Sequence, residues 1–227
     1  MINQLVKQKF ETEFKDLFIK HEFFKISTST SHLQMDVVEK FLGQYWHVLH
    51  YFPPFLSRII ERSTNLHIKT LISKILFQEL GTGDVKLSHE LLFVDTMKSA
   101  GLNMDIISNT APNLATQRLM EGYRESSAEF LSGIGYLYGT EAIDLIIVSR
   151  LGMAVRKATG LKELPWVDIH IQQEPEHTEC TEGMVGQDFN EEEAKQILSA
   201  AHLCWQNWLA FYDQLAMDLK VSLSKVG

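Results

Sequence analysis

Apolar residues recur every three or four positions along almost the whole chain, and no alternating apolar–polar run of five or more residues interrupts them. A helix turns once in about 3.6 residues, whereas a strand alternates with period two, so the pattern admits helices and leaves no place for a sheet. The first segment places Val6, Phe10, Phe14, Leu17 and Phe18 on one side, with Lys7, Glu11, Lys15 and Asp16 between them. Ser27 to Ser31 reads as a loop ending in an N-cap. The next helix carries Leu33, Val37, Phe41, Tyr45, Val48 and Leu49, and Pro53-Pro54 is expected to interrupt or bend it. Leu66 to Leu80 forms a third helix stopped by Gly81-Thr82-Gly83, and Asp84 is expected to cap a fourth that runs to Gly101. Pro112 suits the first helical position after Thr110-Ala111. From there to Gly160 the chain reads as two or three helical pieces broken near Gly133, Gly135 and Gly139. Leu164-Pro165 opens another helix. Asn190 and Glu193 form a capping pair for the last, whose seam is Ala201, Trp205, Trp208, Tyr212, Leu215 and Leu219. The expectation is one all-α domain over residues 1–227, with seven or eight helices around a single core.

Composition narrows the function classes. A chain of 227 residues can bury one substantial core, and 45% hydrophobic with 22% charged residues is ordinary for a globular protein. The formal net charge is -8 and no basic run occurs, which argues against nucleic acid or an anionic membrane as partner. No stretch of about 18 uncharged apolar residues is present, so a membrane-spanning helix is not expected. The N-terminal residues enter an amphipathic pattern directly instead of a secretion signal. The only cysteines are Cys180 and Cys204. A cytoplasmic location follows as the expectation.

The informative residues are polar ones that share a helical face with the core. Glu79 lies below Ile72, Ile75 and Leu76, and His89 shares its face with Val85, Leu92, Phe93 and Thr96. Glu141 is stacked with Ile134, Leu137, Tyr138, Leu145 and Val148. Asp144, one turn on, borders Leu137, Ile147, Val148 and Leu151, and periodicity does not choose between it and Glu141. His170, Glu174 and His177 stand at i, i+4 and i+7 on one face. Glu121, Glu125 and Glu129 have small or polar neighbours and read as solvated. An ionised carboxylate costs several kcal/mol to bury without a counter-charge, and these faces supply no lysine or arginine. Divalent metals would neutralise the acids and use the histidines, and nitrogen and oxygen donors without thiolate suit iron or manganese.

In three blocks the chain resembles the heme-oxygenase-like diiron oxidase and oxygenase superfamily. They are Phe77-Gln78-Glu79-Leu80-Gly81-Thr82-Gly83 with Ser88-His89-Glu90-Leu91-Leu92-Phe93, then Gly135-Tyr136-Leu137-Tyr138-Gly139-Thr140-Glu141, then His170-Ile171-Gln172-Gln173-Glu174-Pro175-Glu176-His177. That group shares its fold with heme oxygenase, the TenA thiaminases and PqqC, and includes the chlamydial protein associating with death domains. The resemblance implies a heme-oxygenase-like bundle with Glu79, His89, Glu141, His170, Glu174 and His177 as metal ligands, and it selects Glu141 over Asp144. It implies two iron ions, with Glu141 or Glu79 as bridge, that activate dioxygen to oxidise a small organic substrate such as an amine, amino acid or fatty acid. A manganese ion in one position suits the same ligands, and a homodimer is compatible with the pattern. Pro175 departs from a regular helix within the triplet and predicts a bend that weakens the place of His177. Tyr45-Trp46 and Tyr51-Phe52 are the expected pocket wall, and His47 and His50 belong to the same aromatic-rich region. Two other readings make different demands. A TenA-like hydrolase without metal needs Cys180 or Cys204 as nucleophile, and a non-catalytic heme-binding protein needs one ligating histidine.

Overall fold

A computed structural model describes residues 2–30 and 33–224 of the chain. The helices are α1 (Ile2–Lys9), α2 (Lys15–Ile19), α3 (Glu22–Ser29), α4 (Met35–Arg62), α5 (Leu66–Glu79), α6 (His89–Ser99), α7 (Met104–Asn109), α8 (Leu114–Ser126), α9 (Phe130–Thr159), α10 (Pro165–Val185) and α11 (Glu191–Ser224). Among the described residues there is no strand, and seven of these helices are the long ones that the periodicity predicts. The architecture is the expected all-α bundle. α9 runs through its centre, packed by α11 along one side and by α10 and α4 along others. α9 is also apolar and long enough to cross a membrane by composition, but 67% of its apolar window is buried within the protein, so that apolarity belongs to the core.

Several helix boundaries differ from expectation, each for a local reason. A π-helical turn at Phe10–Phe14 joins α1 to α2. Its wider winding shifts the register, so Phe10, Phe14 and Phe18 stay buried while Leu17 turns outward. Ser27 to Ser29 belong to α3 and Gln34 is the N-cap of α4, whereas Ser31 lies outside the described residues. α4 continues through Pro53 and Pro54 without interruption. Each proline costs about 3 kcal/mol in a helix interior, but Phe55, Leu56 and Ile59 just beyond are fully buried and offset it. Asp84 caps only a single 3-10 turn, Val85–Leu87, and Ser88 caps α6. Pro112 stands outside α8, because Asn113 takes the N-cap role and accepts from the Thr116 amide at 2.9 Å. Gln44 from α4 holds that approach, accepting from the Asn113 amide at 2.9 Å and the Thr116 hydroxyl at 2.6 Å.

The glycines of α9 do not break it. α9 is continuous from Phe130 to Thr159, and the interruption before it falls at residues 127–129. A Cβ on Gly135 would overlap the Ile197 carbonyl oxygen, and one on Gly139 would stand 2.8 Å from Cys204 Cβ. These glycines let α11 lie directly on α9. The start of α10 at Pro165 agrees with the sequence reading. So does the Asn190–Glu193 pair: Glu193 Oε2 accepts from the Asn190 amide at 2.8 Å, and Asn190 Oδ1 accepts from the Glu193 amide at 3.0 Å.

Candidate metal centre

Four helices bring the six predicted ligands into one buried region. Glu79 is the last residue of α5 and His89 the first of α6. Between them the chain turns sharply: the Thr82 amide donates to the Phe77 carbonyl at 2.8 Å and the Gly81 amide to the Gln78 carbonyl at 2.9 Å. That is the Schellman pattern, and the positive φ of 87° at Gly81 is why glycine is needed there. Glu141 comes from the middle of α9, and His170, Glu174 and His177 from one face of α10. All six are buried, the most accessible being Glu79 at 6%. α10 continues through Pro175 to Val185, and His177 remains inside at 2% exposure.

The side chains approach one another without hydrogen bonding in the usual way. Ligand atoms of Glu141, Glu174 and His177 all lie within 4.8 Å of one another. His177 Nδ1 is 3.3 Å from Glu141 Oε2, and the His89 and His170 ring centroids are 4.4 Å apart. His89 Nδ1 lies 2.9 Å from Glu79 Oε2 but is not aligned for a hydrogen bond. Among the described residues, buried Glu141 Oε1, both Glu174 oxygens and His177 Nε2 likewise have no hydrogen-bond partner. Buried polar atoms without partners cost about 1–3 kcal/mol each, so a cluster of them calls for an occupant. Their types, carboxylate oxygen and imidazole nitrogen, fit a divalent iron or manganese ion.

Electrostatics point the same way. Burial opposes the charge on Glu79, yet His89, His177 and His170 outweigh it and hold the carboxyl down at about 2. Burial, then the charges of Glu141 and Asp144, push Glu174 well above the usual carboxylate range. Burial and then His89 push His170 down to about 3, leaving it neutral. Burial also acts against a charged His177, but Glu141 draws its pKa up to about 9. Burial and crowding thus push the protons of the site into an uneven distribution, which bound cations would make unnecessary.

Neighbouring groups fix which ring nitrogens are free. His170 Nδ1 donates to the Trp166 carbonyl at 2.7 Å, which leaves Nε2 with its lone pair turned away. His89 Nε2 donates to Gln173 Oε1 at 2.8 Å, which leaves Nδ1 free. Outside the site Glu176 accepts from Gln78 and pairs with Lys74 at 2.5 Å, clamping α5 to α10. Neither Gln173 nor the Trp166 carbonyl is predictable from the sequence, since a glutamine beside a ligand looks like any solvated residue. A cavity of about 30 Å³ adjoins the centre, walled by Tyr45, Val48, Leu49, Phe52 and Trp208 and floored by Glu79, Glu141, Asp144 and His170. Tyr45 and Phe52 thus take the expected wall positions. His47 binds the Thr110 carbonyl at 2.9 Å instead, and His50 pairs with Glu90 at the surface. Glu121, Glu125 and Glu129 are exposed, as predicted.

Comparisons with known proteins agree with this geometry. The sequence profile of the family described as iron-containing redox enzyme matches residues 39–209, a span that includes all six candidate ligands. None of the curated proteins matches the chain. Among solved structures, a CADD-like protein of unknown function from Nostoc punctiforme PCC 73102 superposes with a TM-score of 0.81 at 14% identity, covering 96% of each chain. A domain of unknown function with a heme oxygenase-like fold from Shewanella denitrificans OS217 gives 0.75 at 14% identity, over 97% of this chain and 93% of that one. A TenA homologue from Pyrococcus furiosus gives 0.69 at 15% identity, over 95% and 100%. At such identities these structures establish the fold alone. With three quarters of its length matched by the family profile and with that fold, the chain belongs to the iron-containing redox enzyme family.

Proposed function

We propose that this protein is a non-heme diiron oxidase or oxygenase that uses dioxygen to oxidise a small organic substrate. Glu79, His89, Glu141, His170, Glu174 and His177 would hold the two metal ions. The observation that carries the reading is the convergence of unpartnered buried donor atoms: Glu141 Oε1, both Glu174 oxygens, His177 Nε2 and His89 Nδ1. When bound, two ferrous ions supply the electrons that dioxygen cannot take from protein side chains. Manganese in one position is served by the same donors.

The chain's own residues would do the rest. Gln173 and the Trp166 carbonyl orient the His89 and His170 rings. Tyr45, Val48, Leu49, Phe52 and Trp208 give the small cavity beside the centre an apolar wall, with room for a molecule about the size of water or dioxygen. A metal-free hydrolase would need a reactive thiol. Burial raises the pKa of Cys180 and, more strongly, of fully buried Cys204, so neither is poised as a thiolate.

Anaerobic addition of ferrous iron to the metal-free protein, followed by Mössbauer and absorbance measurements before and after oxygen, tests the reading. Two bound irons and an oxygen-dependent absorbance transient are expected, and amines, amino acids or fatty acids that hasten its decay identify the substrate. Fewer than two irons, or no response to oxygen, would overturn it. Activity that survives chelation but is lost on changing Cys180 or Cys204 would replace it with the hydrolase, and a Soret band on heme titration with a heme protein.

A further inference from the structure

We infer that Asp144 is a seventh protein ligand of the metal centre, a fourth carboxylate bound beside His170 and Glu174. This inference rests on the diiron reading and extends it to a residue outside the six-position pattern.

Asp144 lies one turn beyond Glu141 on α9, so both carboxylates leave the helix on the same side. Its Oδ2 stands 4.0 Å from His170 Nε2. That nitrogen is the free one, because Nδ1 is committed to the Trp166 carbonyl. The separation is too long for a hydrogen bond. It does suit two donors on one cation, since atoms each about 2.0–2.2 Å from a metal stand no more than about 4.3 Å apart. The Asp144 carboxyl also meets that of Glu174, neither of whose oxygens has a well-formed hydrogen bond among the described residues. Two carboxylates pressed together inside a protein need a proton or a cation between them.

No lysine or arginine among the described residues forms an ion pair with Asp144, whose basic neighbour within 4.0 Å is His170. Among the described residues the groups acting on Asp144 are Glu141 from its own helix, Glu79 from α5, His89 from α6, and His170, Glu174 and His177 from α10, with the Tyr45 and Tyr212 hydroxyls from α4 and α11. Nor is it a solvated surface acid, because its side chain is only 18% exposed and forms part of the cavity floor.

Charge balance makes the case independently of these distances. Three carboxylates opposite two divalent ions leave the buried centre with one net positive charge, and a fourth brings it to zero. A low-dielectric interior favours the neutral set strongly. Four-helix di-iron proteins also set four carboxylates around their metal pair. The periodicity of α9, which does not choose between Glu141 and Asp144, fits a centre that uses both.

The test is ferrous binding by the full chain under anaerobic conditions, for the wild type, Asp144→Asn, Asp144→Ala and Asp144→Glu. It is read by chelator competition and Mössbauer spectroscopy, with circular dichroism to verify folding. Expected are two tight irons in the wild type and, in Asp144→Asn and Asp144→Ala, one site weakened by at least about 100-fold with its quadrupole doublet altered. The other site is unchanged, and Asp144→Glu partly restores the first. Wild-type affinity and an unchanged spectrum in Asp144→Asn would overturn the inference while leaving the diiron reading intact, as would a variant that alters only the melting temperature. A wild type that binds fewer than two irons would overturn both.

Discussion

Thr140 and Glu141 are neighbours in sequence, but α9 delivers them to two polar clusters of opposite character. On the Thr140 side the Tyr123 hydroxyl meets Thr140 Oγ1 at 2.9 Å, Trp208 Nε1 donates to Tyr123 at 3.2 Å, and Trp205 Nε1 donates to the Gly139 carbonyl at 3.0 Å. Asn207 adds a bond to the Tyr136 hydroxyl at 3.1 Å. That cluster is complete with protein atoms alone. On the Glu141 side carboxylates and imidazoles crowd together with partnerless atoms. Both sides are equally dry, so burial does not separate a structural polar network from a binding site. What separates them is whether the donors and acceptors close on one another.

This contrast can be broken by experiment. The largest effect belongs to metal loading: two divalent ions at a hundred times their dissociation constants would stabilise the fold by about 5 kcal/mol, roughly 2.7 per ion. Anaerobic thermal melts with and without ferrous iron measure it, and coincident melts would erase the distinction. Next, Gln173→Leu removes the group that orients His89, and metal affinity is expected to fall about 10–100-fold. The metal-free protein should also lose about 1–3 kcal/mol, because buried His89 Nε2 is left without its acceptor. Tyr123→Phe should destabilise the metal-free protein by a similar amount because Trp208 loses its acceptor, but with iron affinity unchanged. A fall in iron affinity for Tyr123→Phe would mean that the clusters are coupled across α9. The last test is pH dependence. His177 keeps its proton up to about 9 in the metal-free protein, because Glu141 outweighs burial there, and a ligand nitrogen must be proton-free. Iron affinity should therefore rise with pH, about tenfold per unit for each proton displaced, and level off above about 9. A flat profile between neutrality and that value would show that His177 does not ligate.

The candidate site was legible because its signal is a violation: acids and histidines on helical faces that otherwise carry Ile72, Ile75, Phe93 and Val148. Such residues need only periodicity to be noticed. Asp144 was equally visible, but choosing between it and Glu141 presumed a single occupant of that face, where the fold brings both to the same cavity. Gln173 was not legible, because its role lies in the direction of one side chain toward His89. The helical class followed directly from the apolar repeat, whereas several boundaries did not. Gly135 and Gly139 look like helix breakers when only local preference is considered, yet their partner is another helix some sixty residues away. Pro53 and Pro54 misled in the same manner, since the burial of Phe55 and Leu56 is a tertiary fact.

The close seating of α11 on α9 reaches further than its own seam. Trp208, part of the cavity wall, sits one turn beyond Cys204, the residue that a methyl group at Gly139 would strike. Lifting α11 by the thickness of one such methyl would carry the indole outward and widen the chamber over the carboxylates. The dimensions of the cavity are therefore set from behind, by two positions that do not line it. Reshaping that space by substitution could begin at residues 135 and 139, without altering any group that lines it.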